Sequence, residues 1–198
     1  NDLFKNTWVI FTADHGEMLG DHHMSQKNLF FEGSAHVPLL IMPPQGRSLP
    51  HNISVEAPTD LVDIYPTILA MAGLSSPVSV SGKNLLEPVP MDRMFFGNSL
   101  NKNFCVMEEK VKLVYSAVGD HVLLFDLNTD PMEQHNLAED PAWQERKAKL
   151  WKLLLKHTAQ YTPEALDENG QFLTYEAPHF PGDVPGRWFG FHYHDYSV

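Results

Sequence analysis

With 198 residues, 43% of them apolar, the chain can bury the core of one or two domains. It carries 14 Lys and Arg against 25 Asp and Glu, a formal charge of −11 that argues against nonspecific nucleic-acid binding, which needs clustered cations. No apolar run approaches the ~20 residues of a membrane span, whereas an anionic substrate stays open, because one bound divalent cation and one lysine invert the local field.

Residues 1–6 read as the last turn of a helix feeding a strand over residues 7–13, Thr7-Trp8-Val9-Ile10-Phe11-Thr12-Ala13. From Asp14 to Lys27 neither the strand nor the helix period appears, so this is a loop at the end of a strand, where open α/β folds place their ligands. A second apolar run, Val37 to Met42, stops at Pro43-Pro44. Val9-Ile10-Phe11 and Leu39-Leu40-Ile41 are continuous rather than alternating, which predicts strands covered on both faces. A helix follows within residues 58–73, with Thr59 or Asp60 as N-cap, Gly73 as C′ residue and a stripe of Leu61, Ile64, Ile68, Leu69 and Ala72. Pro66 either kinks it or splits it into a turn and a helix starting near Tyr65.

Residues 75–90, rich in Ser, Pro and Val, read as a connector with a domain boundary behind it. Strand-like runs come next at 93–97, 104–108, 112–116 and 121–127, with Gly119-Asp120 as a hairpin signal. Cys105, the one cysteine, reads as a packed thiol in the second of these runs. Asp140-Pro141 caps a helix whose stripe of Trp143, Leu150, Trp151 and Leu154 is suited to cover a small antiparallel sheet. Beyond about residue 160 the chain is irregular and aromatic-rich (Phe172, Tyr175, Phe180, Trp188, Phe189, Phe191, Tyr193, Tyr196) and is expected to pack back on the body or a partner. The expected division is 1–90, 91–160 and a 161–198 extension. Asn52-Ile53-Ser54 is a glycosylation sequon by pattern.

Asp14 and His15 are adjacent, so both reach one cation only if the strand has ended and the backbone turns, as Gly16 permits. Asp-His-Gly alone also describes a turn acid beside a satisfied histidine. The strand before it, Lys27 twelve positions past His15 (27 − 15) and the run Glu32-Gly33-Ser34-Ala35 favour the metal reading. Lys27, a compact ammonium with rotating donors, suits several anionic oxygens, its alternative being a solvated loop lysine. His22 and His23 lie between, with His23 a candidate for substrate contact and polar filler the alternative. His192 and His194 read as structural.

Asp14-His15-Gly16, Lys27 and Phe30-Phe31-Glu32-Gly33-Ser34-Ala35-His36-Val37-Pro38-Leu39-Leu40-Ile41 together resemble the sulfatases of the alkaline-phosphatase superfamily. Asp60-Leu61-Val62-Asp63-Ile64-Tyr65-Pro66-Thr67-Ile68-Leu69 and Leu124-Phe125-Asp126-Leu127-Asn128-Thr129-Asp130-Pro131-Met132-Glu133 with Asn136-Leu137 extend the resemblance over residues 1–160. Gly186-Arg187-Trp188-Phe189-Gly190-Phe191-His192 resembles the tails of some bacterial members. The resemblance implies an α/β fold: the C-terminal part of an alkaline-phosphatase-like sandwich, a mixed sheet flanked by helices, plus a small antiparallel sheet-and-helix subdomain.

It implies a sulfuric-ester hydrolase acting on a sulfated small molecule or sugar, with Asp14 and His15 as ligands of one divalent metal ion and Lys27 as the catalytic sulfate contact. Calcium is the family's usual metal, magnesium and manganese the alternatives. The family's nucleophile is a formylglycine made in a Cys/Ser-x-Pro-x-Arg motif. Cys105 precedes Val106-Met107 and Ser76-Pro77 has the wrong spacing, so the motif is absent, as is a tandem acid pair after an N-terminal strand. The expectation is therefore a C-terminal portion, inactive alone, whose partner is the missing N-terminal half, in a periplasmic, secreted or lysosomal setting. The alternatives are a phosphonate monoester or phosphodiester hydrolase of the same superfamily, and a noncatalytic companion chain or inactive paralogue.

Overall fold

The structure, a computed structural model, describes residues 2–24, 26–27, 29–47, 52–77 and 79–176. The chain divides into two compact units, one of Asn1–Asp14 and Val37–Phe95, the other of His15–His36 and the chain from Phe96 onward. The break after Phe95 compares with the boundary expected behind residue 90, while residues 15–36 join the C-terminal body rather than the strands that flank them.

In the first unit, a 3-10 turn (Asp2–Lys5) leads to β1 (Val9–Thr12), which pairs antiparallel with β2 (Leu39–Met42), Val9 opposite Met42. Contrary to the expectation of strands covered on both faces, exposed and half-buried residues alternate along both, with Phe11 62% and Leu40 59% exposed. A continuous apolar run demands a second layer, and the described residues of this unit supply none.

Further on, a 3-10 turn (Leu61–Asp63) runs into α2 (Ile64–Met71). Pro66 is the third residue of α2, where its missing N–H costs no helical bond, so it starts the helix instead of kinking it. Gly73, at φ 73°, closes α2, and the Leu74 N–H returns to the Leu69 carbonyl at 2.8 Å. The apolar stripe is not the buried face here: Leu61 and Ile68 are exposed, and Asp63, Pro66 and Thr67 are inside. Polar straps cause this inversion. Thr67 Oγ1 accepts from the Leu85 N–H (2.9 Å), and Asp63 takes the Lys83 N–H (2.7 Å) and both terminal nitrogens of Arg93 (2.5 and 2.9 Å).

The second unit is built on a four-stranded sheet of β3 (Phe95–Ser99), β4 (Asn103–Glu108), β5 (Val111–Ser116) and β6 (His121–Asp126), ordered as in the sequence, with β4, β5 and β6 antiparallel. Asp140 Oδ1 accepts from the Ala142 N–H at 2.8 Å and starts a 3-10 turn (Pro141–Trp143) that leads into α3 (Gln144–Tyr161). From α3, Leu150 and Leu154 enter a core with Phe104, Val106, Leu113, Tyr115 and Leu124, so this stripe covers the sheet as its period predicts. Phe172 joins that core, 4.6 Å from Phe104 between ring centroids, and the Tyr175 N–H bonds the Ala117 carbonyl at 2.8 Å. Phe180, Trp188, Phe189, Phe191, Tyr193, Tyr196, His192 and His194 lie outside the described residues.

Successive strand residues point to opposite faces, so the other face of this sheet presents Cys105, Lys112, Val114, Leu123 and Phe125. The segment that carries buried Met18, Met24, Leu29 and Phe31 reaches this face through Phe31, whose ring lies 5.8 Å from that of Phe125. Cys105 is 0% exposed, and burial pushes its thiol up to about 12. No helix among the described residues is long and apolar enough to cross a membrane.

Candidate active site

Asp14 follows β1 in the first unit, and His15 opens the second. His15 Nδ1 lies 2.7 Å from the Gly16 carbonyl, which can only accept, so Nδ1 carries the proton and Nε2 keeps its lone pair. Lys27 Nζ lies 2.6 Å from that Nε2 and donates to it. The structure thus brings His15 and Lys27 together across twelve residues.

Backbone bonds from a short helix, α1 (Glu32–Ala35), create this approach. The Gly16 N–H donates to the Ser34 carbonyl (2.7 Å) and the Glu17 N–H to the Gly33 carbonyl (2.9 Å). A Cβ on Gly16 would sit 2.1 Å from the Gly33 oxygen, so glycine is required here for close approach, its φ lying outside the left-handed region. The buried Ser34 hydroxyl bridges the Lys27 and Leu29 carbonyls at 2.8 and 2.5 Å. Between the pair, Leu19, His22, His23 and Gln26 all have positive φ, and the His22 ring stacks on Phe31 at 4.2 Å. His23 is exposed at the end of the 3-10 turn Asp21–His23, and among the described residues its ring bonds neither His15 nor Lys27.

The tie of His15 Nδ1 to a backbone carbonyl is one that metal-ligating imidazoles also have, although Nε2 here takes the Lys27 hydrogen bond, and a carboxylate such as that of Asp14 is a hard ligand type. No group of three or more His, Cys, Asp or Glu among the described residues is placed to hold a metal ion.

Beneath α1 lies a cluster that sequence reasoning missed. Lys112 on β5, only 3% exposed, places Nζ 2.5 Å from Glu32 Oε1 and 2.7 Å from Glu133 Oε1. Glu133 Oε2 accepts the Glu32 N–H at 2.7 Å, and His36 Nδ1 lies 2.7 Å from Glu32 Oε2. Burial disfavours the Lys112 ammonium, but the carboxylates of Glu133 and Glu32 beside it outweigh burial and hold its pKa above the ordinary value. Burial also raises Glu133, against the pull of Lys112. At Glu32 burial loses instead, to Lys112 and then His36, and its carboxyl titrates below the usual range. The available signal was a lone cation on the inward face of an otherwise apolar alternating strand.

Residues 20–160 match the family described as N-sulphoglucosamine sulphohydrolase, C-terminal. The chain belongs to the sulfatase family. Among its relatives, arylsulfatase K of Bos taurus is 36% identical over 155 residues, covering 69% of this chain and 28% of that protein. Choline-sulfatase of Rhizobium meliloti (strain 1021) is 35% identical over 177 residues, covering 83% and 33%. This sulfatase chain therefore spans about a third or less of the curated relatives it matches.

The phosphonate monoester hydrolase of Agrobacterium radiobacter superposes with a TM-score of 0.60 at 32% identity over 83% of this chain and 38% of that one. BT4656, solved with its substrate D-glucosamine-2-N,6-O-disulfate, superposes at 0.61 with 22% identity over 80% and 35%, a likeness of fold. The superpositions agree with the α/β architecture expected of the sulfatase C-terminal part. The family match takes in Lys27, Glu32, Lys112 and Glu133 and begins beyond Asp14 and His15.

Proposed function

We propose that the chain is the C-terminal part of a metal-dependent sulfuric-ester hydrolase, with Lys27 contacting the sulfate oxygens and Asp14 and His15 as ligands of one divalent cation, calcium by preference. The observation supporting this reading is the 2.6 Å approach of Lys27 Nζ to His15 Nε2, which sets an ammonium beside an imidazole in a loop that the family match enters from residue 20. When bound, the cation supplies charge stabilisation at the ester's oxygens. Lys27 adds donors to the same oxygens and holds its charge near them as negative charge moves onto the leaving oxygen. The Gly16 carbonyl keeps the His15 proton on Nδ1, so Nε2 is the accepting ring atom, which takes the Lys27 hydrogen bond here and would ligate the cation once Lys27 turns to the sulfate oxygens.

The nucleophile, a formylglycine, and the remaining ligands are proposed to come from sequence outside these 198 residues, which hold no Cys/Ser-x-Pro-x-Arg motif. Choline-sulfatase among the relatives and a sulfated glucosamine in a structural neighbour support a sulfated small molecule or sugar as substrate. The test is hydrolysis of an aryl sulfate by the complete protein that carries this chain. Asp14→Ala should abolish turnover and reduce calcium-dependent thermal stabilisation together, and unchanged turnover would remove Asp14 from the metal shell. The Agrobacterium radiobacter enzyme favours a second reading, a phosphonate monoester hydrolase. Faster turnover of a phenyl phosphonate than of the aryl sulfate would establish it.

A further inference from the structure

We propose that Glu133 and Lys112 are positioning residues for His15 and Lys27, acting through α1; the inference rests on the reading of those two residues as part of a sulfate-ester site. Glu133 has three unusual properties at once. It is buried, its φ of 55° lies in the left-handed region that side chains avoid, and its carboxylate serves a residue 101 positions away, the Glu32 N–H at the start of α1. Strain of this kind persists only where surrounding bonds over-determine the conformation.

Those bonds are present. The Glu133 N–H reaches the Asp130 carbonyl (3.1 Å), and the Asp130 carboxylate takes the N–H groups of Gln134 (3.0 Å) and His135 (2.8 Å). The Leu137 N–H bonds the Leu124 carbonyl (2.8 Å), and Asn136 Oδ1 takes the Leu124 N–H (2.9 Å), so the whole turn is locked to β6. Lys112 then clamps Glu133 and Glu32 to the face of the sheet.

From Glu32 the path to the site is short. Gly33 and Ser34, the next two residues, supply the carbonyls that hold Gly16 and Glu17 beside His15, and the Ser34 hydroxyl holds the Lys27 carbonyl. Both site residues thus hang from one four-residue helix, too short to be rigid by itself. The buried cluster supplies that rigidity. Removing it leaves His15 and Lys27 in place chemically but loosens the distance between them.

The test uses the complete protein, with kcat and KM for an aryl sulfate read beside amide hydrogen exchange at Gly16 and Glu17. Glu133→Ala should speed exchange at both amides and lower kcat about 100-fold, the cost of a misplacement near 1 Å, with KM changed much less. Glu133→Gln keeps an acceptor for the Glu32 N–H and should recover most of the protection and of kcat. Leu150→Ala, which destabilises the sheet from its opposite face, should leave the local exchange at Gly16 and Glu17 unchanged. Should Glu133→Ala not fold, Ser34→Ala removes only the hydroxyl bridge and should lower kcat with the same small change in KM. Native exchange at Gly16 and Glu17 in Glu133→Ala, or a Ser34→Ala protein with normal kcat, overturns the proposal. Fast exchange at both amides in Glu133→Ala, in a protein whose unmodified form hydrolyses no sulfate ester, would uphold the anchoring and sink the sulfatase reading.

Discussion

Asp63 is a carboxylate without exposed surface, bonded by Arg93, the Lys83 N–H and the Asp60 N–H. Burial pushes its pKa up, but Arg93 and the two backbone donors outweigh burial and hold it below the ordinary 3.8. A folded pKa below the unfolded one contributes stability that is fully present above about pH 3.8 and disappears as pH falls through the folded value. Asp63→Asn leaves the Arg93 guanidinium unmatched and should cost about 3–5 kcal/mol at neutral pH. Urea unfolding of both proteins from neutral to acid pH checks this: the gap should close in acid, and parallel curves would show that Asp63 is not an acid-sensitive group. The run around Asp63 was legible as a capped helix. Its inward orientation was not, because its partners lie 20 and 30 positions away, a separation on which periodicity is silent. The same holds for Lys112, whose partner Glu32 is 80 positions distant, whereas His15 and Lys27 share a loop and could be paired by spacing.

Among the elements, α3 was readable because one face is buried in the core, which makes the period visible, and β4, β5 and β6 because they are short apolar runs bounded by turn residues. The turn between β4 and β5 was not. Glu109 and Lys110 join Glu108 to Val111 with φ of 52° and 62°, the conformation normally signalled by Asn-Gly, so no residue type announced it. Lys110→Gly should therefore stabilise the protein by about 1 kcal/mol, seen as a higher thermal midpoint. A lowered midpoint would mean that the lysine side chain contributes more than its backbone costs. On α3, Leu154→Ala opens the centre of the core and should cost about 2–5 kcal/mol in the same measurement. A cost under about 1 kcal/mol would mean that the core collapses around the gap.

For the molecule as a whole, burial is unequal between the units. The second unit has a core on one face of its sheet and a buried ionic cluster on the other, while in the first unit Ala57, Pro44 and Pro66 are the buried apolar residues among those described, and Phe11, Leu40, Tyr65 and Ile68 are exposed. Stability should follow burial. Amides of β1 and β2 should exchange orders of magnitude faster than those of β4 and β5 in the 198-residue chain, and equal protection would refute that ranking. Cys105 gives this unevenness a practical use. The chain has a single thiol, wholly enclosed and held protonated, so a thiol reagent can reach it only when the sheet opens. The alkylation rate of the native protein is then a clock for that opening, readable by mass without any introduced probe.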